Sequence, residues 1–118
     1  MISRAAQEAG VLVLSLAAFL AANTQALALD KRASGALSHY IIGIVHDDLG
    51  DLDKAIQEYK QALKADTENP VIRLSLAESL IKSNQIPQAI EELNFLIRLN
   101  PEAVEPHAIL ALLYSSQN

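Results

Sequence analysis

Apolar and polar positions follow a helical spacing along the chain, and this spacing is interrupted at regular intervals. Over residues 52–65, apolar side chains recur every three or four positions, which predicts an amphipathic helix with its polar side in water. Apolar segments bounded by turn residues predict further helices over 36–48, 70–82, 86–99 and 105–114. No strand pattern competes with them, so the chain is predicted to be all-α.

The residues between these helices are those that end and restart helices. Gly50 can take the left-handed conformation that ends a helix, and Asp51 can then cap the next one. Asn69 and Pro70 suit the cap and first-turn positions of the helix that follows, and Pro87 falls in a first turn, where proline is tolerated. The helices are therefore predicted to pair as hairpins.

The pattern repeats every 34 residues. Residues 36–69 form a first unit, residues 70–103 a second, and residues 104–118 the first helix of an incomplete third. The equivalent positions include Ile42-Gly43, Leu76-Ala77 and Leu110-Ala111, and also Ala55-Ile56 and Ala89-Ile90. A fixed period of this length, in units too short to bury their own apolar faces, predicts a solenoid of stacked antiparallel helical hairpins, an α-α superhelix. Such proteins are scaffolds far more often than enzymes.

Residues 36–118 resemble tetratricopeptide repeats. The family pattern of apolar, small and aromatic positions is met by Ile42, Gly43, Ala55, Tyr59 and Ala62 in the first unit, by Leu76, Ala77, Leu80, Ala89, Leu93 and Pro101 in the second, and by Leu110, Ala111 and Tyr114 in the third. His39, Arg73 and His107 stand where the family often has Trp. Together with the N-terminal segment and the apolar last helix described below, the resemblance suggests a bacterial-type exported member, possibly a fragment of a longer repeat array.

The resemblance implies a binding groove lined by the first helix of each hairpin, which would hold a peptide or protein partner. Carried over by position, the groove residues are Leu37, Tyr40, Ile41, Ile44, Asp48, Leu74, Ser75, Glu78 and Lys82. The basic residues and Asn with which some family members clamp a C-terminal carboxylate are mostly missing from this set. An alternative is that Leu37, Ile41 and Ile44 pack against a preceding helix.

Charge and composition narrow the classes of function. The chain has 14 acidic and 9 basic residues and a net charge of −5, so it lacks the basic surface that nucleic acid requires. It has no cysteine, which excludes disulfides and thiolate metal sites. His39 and His46 are two helical turns apart, about 10 Å, too far to bind one metal ion directly. No nucleophile with a nearby base and no phosphate-binding loop is present, so no enzyme, cofactor or metal is expected.

The N-terminal segment predicts export. No charged residue occurs between Glu8 and Asp30, and the apolar run over 11–22 follows Arg4 and precedes the small-x-small sequence that ends at Ala28. Residues 1–28 therefore read as a signal peptide, followed by a linker over residues 29–35, and the mature protein is predicted to be periplasmic or secreted.

Two other interpretations of this segment remain open. Residues 9–29 would span about 30 Å as a helix, enough for an uncleaved inner-membrane anchor. Residues 4–29 could instead be a buried helix of a degenerate earlier repeat, because the sequence over 25–30 resembles that over 61–66.

The last predicted helix is apolar around much of its circumference. Either the repeats continue beyond it, or another molecule covers the candidate oligomer face formed by Ile109, Leu112 and Leu113, since an exposed apolar face marks an interface. The first hypothesis for function is accordingly a non-enzymatic interaction scaffold. The alternative is a membrane-anchored assembly factor that oligomerises through this helix and meets the membrane only through its N-terminal segment.

Overall fold

The computed structural model describes residues 3–118, which form helices and turns with no strand among them. The chain divides into two units, one ending at Arg32 and one running from Ala33 to Asn118. There are five helices in this part of the chain: α1 (Arg4–Asp48), α2 (Leu52–Ala65), α3 (Pro70–Lys82), α4 (Ile86–Leu99) and α5 (Val104–Ser116). The helices α2, α3 and α4 have the bounds predicted from the sequence. The helix predicted over 36–48 ends at Asp48 as expected but begins at Arg4, and α5 is longer than predicted.

The first unit is the N-terminal part of α1, and every residue from 3 to 32 is exposed. The interpretation of residues 4–29 as a buried helix is therefore wrong: the unit contains one described helix, so it has no second element to cover its apolar side chains. By length and composition α1 could cross a membrane, and none of its most apolar stretch is buried.

Residues 29–35, predicted as a linker, are helical and belong to α1. The segment contains no proline and includes Leu29, Lys31, Arg32 and Ala33, which are good helix formers, so nothing in it ends the helix. The boundary between the two units lies within this segment, after Arg32.

The two hairpin turns use the same backbone conformation 34 residues apart. Gly50 has φ +78°, as predicted, and Asn84 has φ +60° at the equivalent place in the second repeat. Asn tolerates this left-handed region better than other residues with a side chain, which is why the turn survives without glycine. Sequence inspection had identified only Gly50.

The two predicted helix caps behave differently. Asn69 caps α3, because its Oδ1 accepts hydrogen bonds from the backbone N–H groups of Val71 and Ile72 at 3.0 and 3.2 Å. Asp51 stands at the cap position of α2 but makes no capping hydrogen bond. Its carboxylate instead lies 2.7 Å from Lys54 Nζ, and this pairing lowers the pKa of Asp51.

Small residues allow the two helices of each hairpin to approach closely. A Cβ atom on Gly43 would lie 2.6 Å from Cε1 of Tyr59, a residue that is only 1% exposed. In the second repeat Ala77 and Leu93 take the equivalent positions, and both are fully buried. The repeat thus keeps the summed volume of this contact: the larger ring meets glycine, and the smaller leucine meets alanine.

A histidine or arginine on the first helix of each hairpin contacts a glutamate on the second. His39 Nδ1 lies 2.6 Å from Glu58 Oε2, and Arg73 Nη1 pairs with Glu92, each 34 residues on. The guanidinium of Arg73 also lies 3.6 Å from the centroid of the Phe95 ring. Although the polar side of α2 is predicted to face water, the contact with His39 leaves Glu58 half-buried.

The core of the structural unit from Ala33 to Asn118 consists of two apolar clusters. The first joins α2, α3 and α4 through Ala55, Ile56, Tyr59, Ala62, Leu63, Ile72, Leu76, Leu80 and Ala89. The second joins α3, α4 and α5 through Ala77, Leu93, Leu96, Leu110 and Leu113. The buried state of Leu113 corrects its assignment to the candidate oligomer face, because its side chain packs inside the unit. Ile109 is half-buried against the same cluster, and Leu112 alone of the three is exposed.

Candidate functional site

Two pockets lie beside the N-terminal end of α3, both within the unit that begins at Ala33. The first, of about 260 Å³, is lined by Ala33, Ala36, Leu37, Tyr40, Asp66, Asn69, Val71 and Ile72. The second, of about 710 Å³, is lined by Glu68, Pro70, Val71, Leu74, Leu96, Leu99, Asn100, Ala103, Val104, Glu105 and Pro106. Val71 lines both, so the two pockets adjoin, and together they are called the Val71 groove below.

The two pockets are the same structural feature in successive repeats. Most residues of the first pocket lie 34 positions before a residue of the second: Ala36 and Pro70, Leu37 and Val71, Tyr40 and Leu74, Asp66 and Asn100, Asn69 and Ala103, Val71 and Glu105, Ile72 and Pro106. Each pocket forms where the first helix of one repeat meets the start of the next repeat. The groove is therefore a product of the stacking, and no single repeat could form it.

The turn before α3 is held in place by one side chain. Besides capping the helix through Oδ1, Asn69 donates from Nδ2 to Asp66 Oδ2 at 2.8 Å. Pro70 occupies the first turn, where its missing N–H leaves no hydrogen bond unmade. These contacts fix the position of Val71 in the first turn of α3. Val71 is 56% exposed.

The groove has an apolar floor and acidic edges. Its apolar side chains come from four helices, α1, α3, α4 and α5. Its acidic lining residues are Asp66, Glu68 and Glu105, and no Lys or Arg lines either pocket. A ligand would thus bury apolar groups against the floor and meet negative charge at the rim.

Three of the nine groove residues predicted from the sequence lie in the Val71 groove. Leu37 and Tyr40 line the first pocket and Leu74 lines the second. The other six line neither pocket: Ile41, Ile44, Asp48, Ser75, Glu78 and Lys82. Leu37, Ile41 and Ile44 are exposed, so the alternative that they pack against a preceding helix does not describe this chain.

Lys82 has another partner. Its Nζ lies 2.8 Å from Asp47 Oδ1, and this hydrogen bond raises the pKa of Lys82. Oδ2 of the same carboxylate accepts from the hydroxyl of the buried Ser79 at 3.1 Å. Asp47 therefore connects α1 to α3 by hydrogen bonds, and the Lys82 side chain takes part in this contact.

Sequence reasoning missed Val71, Ile72, Leu96, Leu99 and Val104. A signal for Val71 was present: it is the residue 34 positions after Leu37, and applying the repeat to each predicted groove residue would have found it. Leu96 and Leu99 carried no such signal, because neither lies 34 positions from a predicted groove residue.

The described residues hold no group of three His, Cys, Asp or Glu side chains that could bind a metal ion. Tyr59 is the titratable group most affected by its surroundings, since burial, assisted by nearby Asp47, raises its pKa to about 12. A buried, protonated phenol beside Gly43 serves packing.

Comparison with known proteins agrees with this architecture. Two models described as "Tetratricopeptide repeat" match the chain, one over residues 48–113, more than half its length, and one over residues 13–70. The chain belongs to the tetratricopeptide repeat family. The second match extends into the exposed N-terminal part of α1. The family is generally a protein-interaction fold.

Among solved structures, this tetratricopeptide repeat chain is similar to the "First TPR of Spaghetti (RPAP3) bound to HSP90 peptide SRMEEVD", with a TM-score of 0.59 and 24% identity. The match covers 63% of this chain and 59% of that one, so this chain spans less than two thirds of the structure it resembles. At this identity the likeness concerns the fold. A search of curated proteins found no match.

Proposed function

We propose that this chain is a non-enzymatic interaction scaffold that binds a segment of a protein partner in the Val71 groove. The observation that carries the proposal is the pair of repeat-equivalent pockets that adjoin at Val71. Successive pockets at a fixed repeat spacing suit an extended or helical segment whose apolar side chains enter them in turn.

The charge of the groove supports a particular kind of segment. Because Asp66, Glu68 and Glu105 line it without a basic residue, an acidic peptide would meet repulsion there. We therefore propose a partner segment in which apolar side chains alternate with Lys or Arg.

The test is a selection of random phage-displayed peptides on the full chain held in detergent micelles, followed by affinity measurement on the enriched sequences. We expect apolar and basic residues to be enriched together. Val71→Gln should weaken binding of these peptides about tenfold, which corresponds to losing burial of one apolar side chain.

The matched control is Val45→Gln, which places the same change at another exposed valine of the same unit, outside both pockets. Equal loss of binding in the two variants would contradict the groove. Enrichment of acidic peptides that still depend on Val71 would keep the groove and overturn the charge preference.

We propose further that the N-terminal segment directs the protein out of the cytoplasm, as a cleaved export signal or as an inner-membrane anchor over residues 9–29. The support is the exposure of every residue of this apolar stretch, which would be unfavourable in water. An anchored assembly factor that oligomerises through α5 is the second candidate function, favoured by the exposure of Leu112 on that helix.

A further inference from the structure

The first and second pockets of the Val71 groove differ in volume, although they are the same feature in successive repeats. The first, between α1 and α3, has about 260 Å³, and the second, between α3 and α5, has about 710 Å³. Pockets that bury a large ligand group have volumes of about 300–1,000 Å³, and only the second pocket reaches this range. The groove therefore offers a partner one narrow pocket and one wide pocket.

The side chains that line the two pockets differ in size at equivalent positions. The first pocket has the aromatic ring of Tyr40 where the second has Leu74, 34 residues on. Leu37 of the first pocket is likewise one methylene larger than Val71, its equivalent in the second. Both differences reduce the space in the first pocket.

Tyr40 also covers a floor that is open in the second pocket. Leu96 of α4 lines the second pocket, but its equivalent in α2, Ala62, does not line the first. Ala62 is fully buried and belongs to the cluster against which Tyr40 packs. We attribute the closed floor of the first pocket to the Tyr40 ring, whereas the shorter Leu74 leaves the second pocket open down to α4.

The Tyr40 ring is held in this position by packing. Its centroid lies 5.9 Å from that of the Tyr59 ring, which is tilted by 43° to it, and Tyr59 is itself buried. Aromatic rings at such distances attract one another beyond their burial of apolar area. Moving Tyr40 out of the pocket would break this contact and uncover part of the first cluster, so the narrow pocket is a fixed feature of the fold.

We infer that the groove selects its partner by side-chain size, with an aromatic side chain in the second pocket and a small aliphatic one, such as valine, in the first. Tyr40 and Leu74 are the residues that determine this difference. The inference rests on the proposed function and adds to it the sizes of two apolar residues in the partner segment, beside its Lys or Arg.

The probe is the peptide most strongly enriched by phage selection on the native chain, together with versions in which each apolar residue is exchanged between Val and Phe. Affinities are measured for the full chain in detergent micelles. The readout is the ratio between two peptides on the same chain, which a lower folded fraction does not change. At one peptide position Phe should bind at least about fivefold more weakly than Val, through overpacking. At another, Val should bind about tenfold more weakly than Phe, through lost apolar burial.

Two chain variants change the size of one pocket each. Tyr40→Leu should remove the penalty for Phe in the first pocket and leave the preference for Phe in the second. Leu74→Tyr should remove the preference for Phe in the second pocket and leave the penalty in the first. The matched controls, Tyr114→Leu and Leu49→Tyr, make the same exchanges at exposed positions outside both pockets and should change neither ratio.

The outcomes separate this inference from the proposed function on which it rests. If both ratios ignore Tyr40→Leu and Leu74→Tyr while peptide binding still requires Val71, the size selection is overturned and the groove is kept. Peptides that bind Val71→Gln as tightly as the native chain would overturn the groove itself, and the size selection with it. A selection that enriches no peptide would do the same.

Discussion

At the scale of single residues, the repeat works by paired substitutions across the helix contact. Gly43 with Tyr59 and Ala77 with Leu93 fill the same space with different partners. His39 with Glu58 and Arg73 with Glu92 make the same polar contact between the two helices with a different residue on the first helix. A residue at one of these positions must therefore suit its partner across the hairpin.

The pairing predicts that the effect of Gly43→Ala changes sign with residue 59. In the native chain the new Cβ would meet the Tyr59 ring, and we expect a net loss of about 1–2 kcal/mol in the free energy of unfolding. With Tyr59→Leu already in place, the same change should stabilise by about 0.5–1 kcal/mol, because alanine favours helix over glycine. The free energies of unfolding in urea of the native chain, Gly43→Ala, Tyr59→Leu and the double variant test this prediction.

Gly35→Ala is the control for this experiment, since Gly35 lies in the same helix and a Cβ there meets nothing within 4 Å. It should be mildly stabilising in both backgrounds. If Gly43→Ala destabilises equally with Tyr or Leu at position 59, the two side chains are not coupled.

At the scale of helices, equivalent positions meet different partners depending on their place in the stack. Asp47 of α1 accepts hydrogen bonds from Ser79 and Lys82 of α3, and the side chain of this carboxylate is only 13% exposed. Its equivalent 34 residues on is Ile81, an apolar residue packed against both core clusters. The α1–α3 contact is thus polar where the α3–α5 contact is apolar.

The polar contact predicts an alkaline dependence of stability. Asp47 raises the folded-state pKa of Lys82 above its usual 10.5, so the stabilisation is fully present below pH 10.5 and is lost as the pH rises through the folded pKa. Lys82→Met should therefore lower the free energy of unfolding by less than about 1 kcal/mol at pH 8, since the lysine is partly exposed. The difference between native and variant chains should vanish above the folded pKa, as measured by urea unfolding across the pH series.

Lys60→Met provides the comparison, because Lys60 is exposed on α2 and forms no ion pair within residues 3–118. Its effect should be small and independent of pH. A Lys82→Met difference that persists at high pH would mean that the aliphatic stem, and not the charge, stabilises the contact.

At the scale of the whole molecule, two units with opposite surface character share one chain. The unit from Ala33 onward contains two buried apolar clusters, whereas every described residue of the other unit is exposed. Such exposure of an apolar helix is unfavourable in water, which supports the proposal that this segment enters a bilayer during export or as an anchor.

Expression in a bacterial host, with fractionation and intact mass measurement, tests this. A chain that begins at Leu29 in the soluble exported fraction would establish a cleaved signal, and the full mass in the membrane fraction would establish an anchor. Leu14→Arg with Leu16→Arg should shift the protein to the cytosol, because each charge costs about 2.5–3.5 kcal/mol at the centre of an inserted helix. The control is Leu49→Arg, at an exposed leucine of the other unit. Full-length native chain in the cytosol would contradict export and anchoring alike.

The sequence by itself determined the helices of the repeats, their ends except the start of α1, and the family. Helix formation depends on local features that a sequence displays, such as the spacing of apolar residues, Gly50 in the turn, and Asn69 with Pro70 at a helix start. The 34-residue period then specified a stack of hairpins, because no repeat can bury its apolar side alone.

The tertiary structure alone decided which surfaces remain open. Leu113 was expected on the outside and is buried, and Lys82 was expected in the groove but pairs with Asp47. Val71 lies at the centre of the groove, although it was not among the predicted groove residues. The linker over 29–35 proved helical, since no residue in it ends a helix. These outcomes depend on contacts between residues distant in the chain, and the helical spacing that reveals an apolar face does not say whether a neighbouring helix covers it.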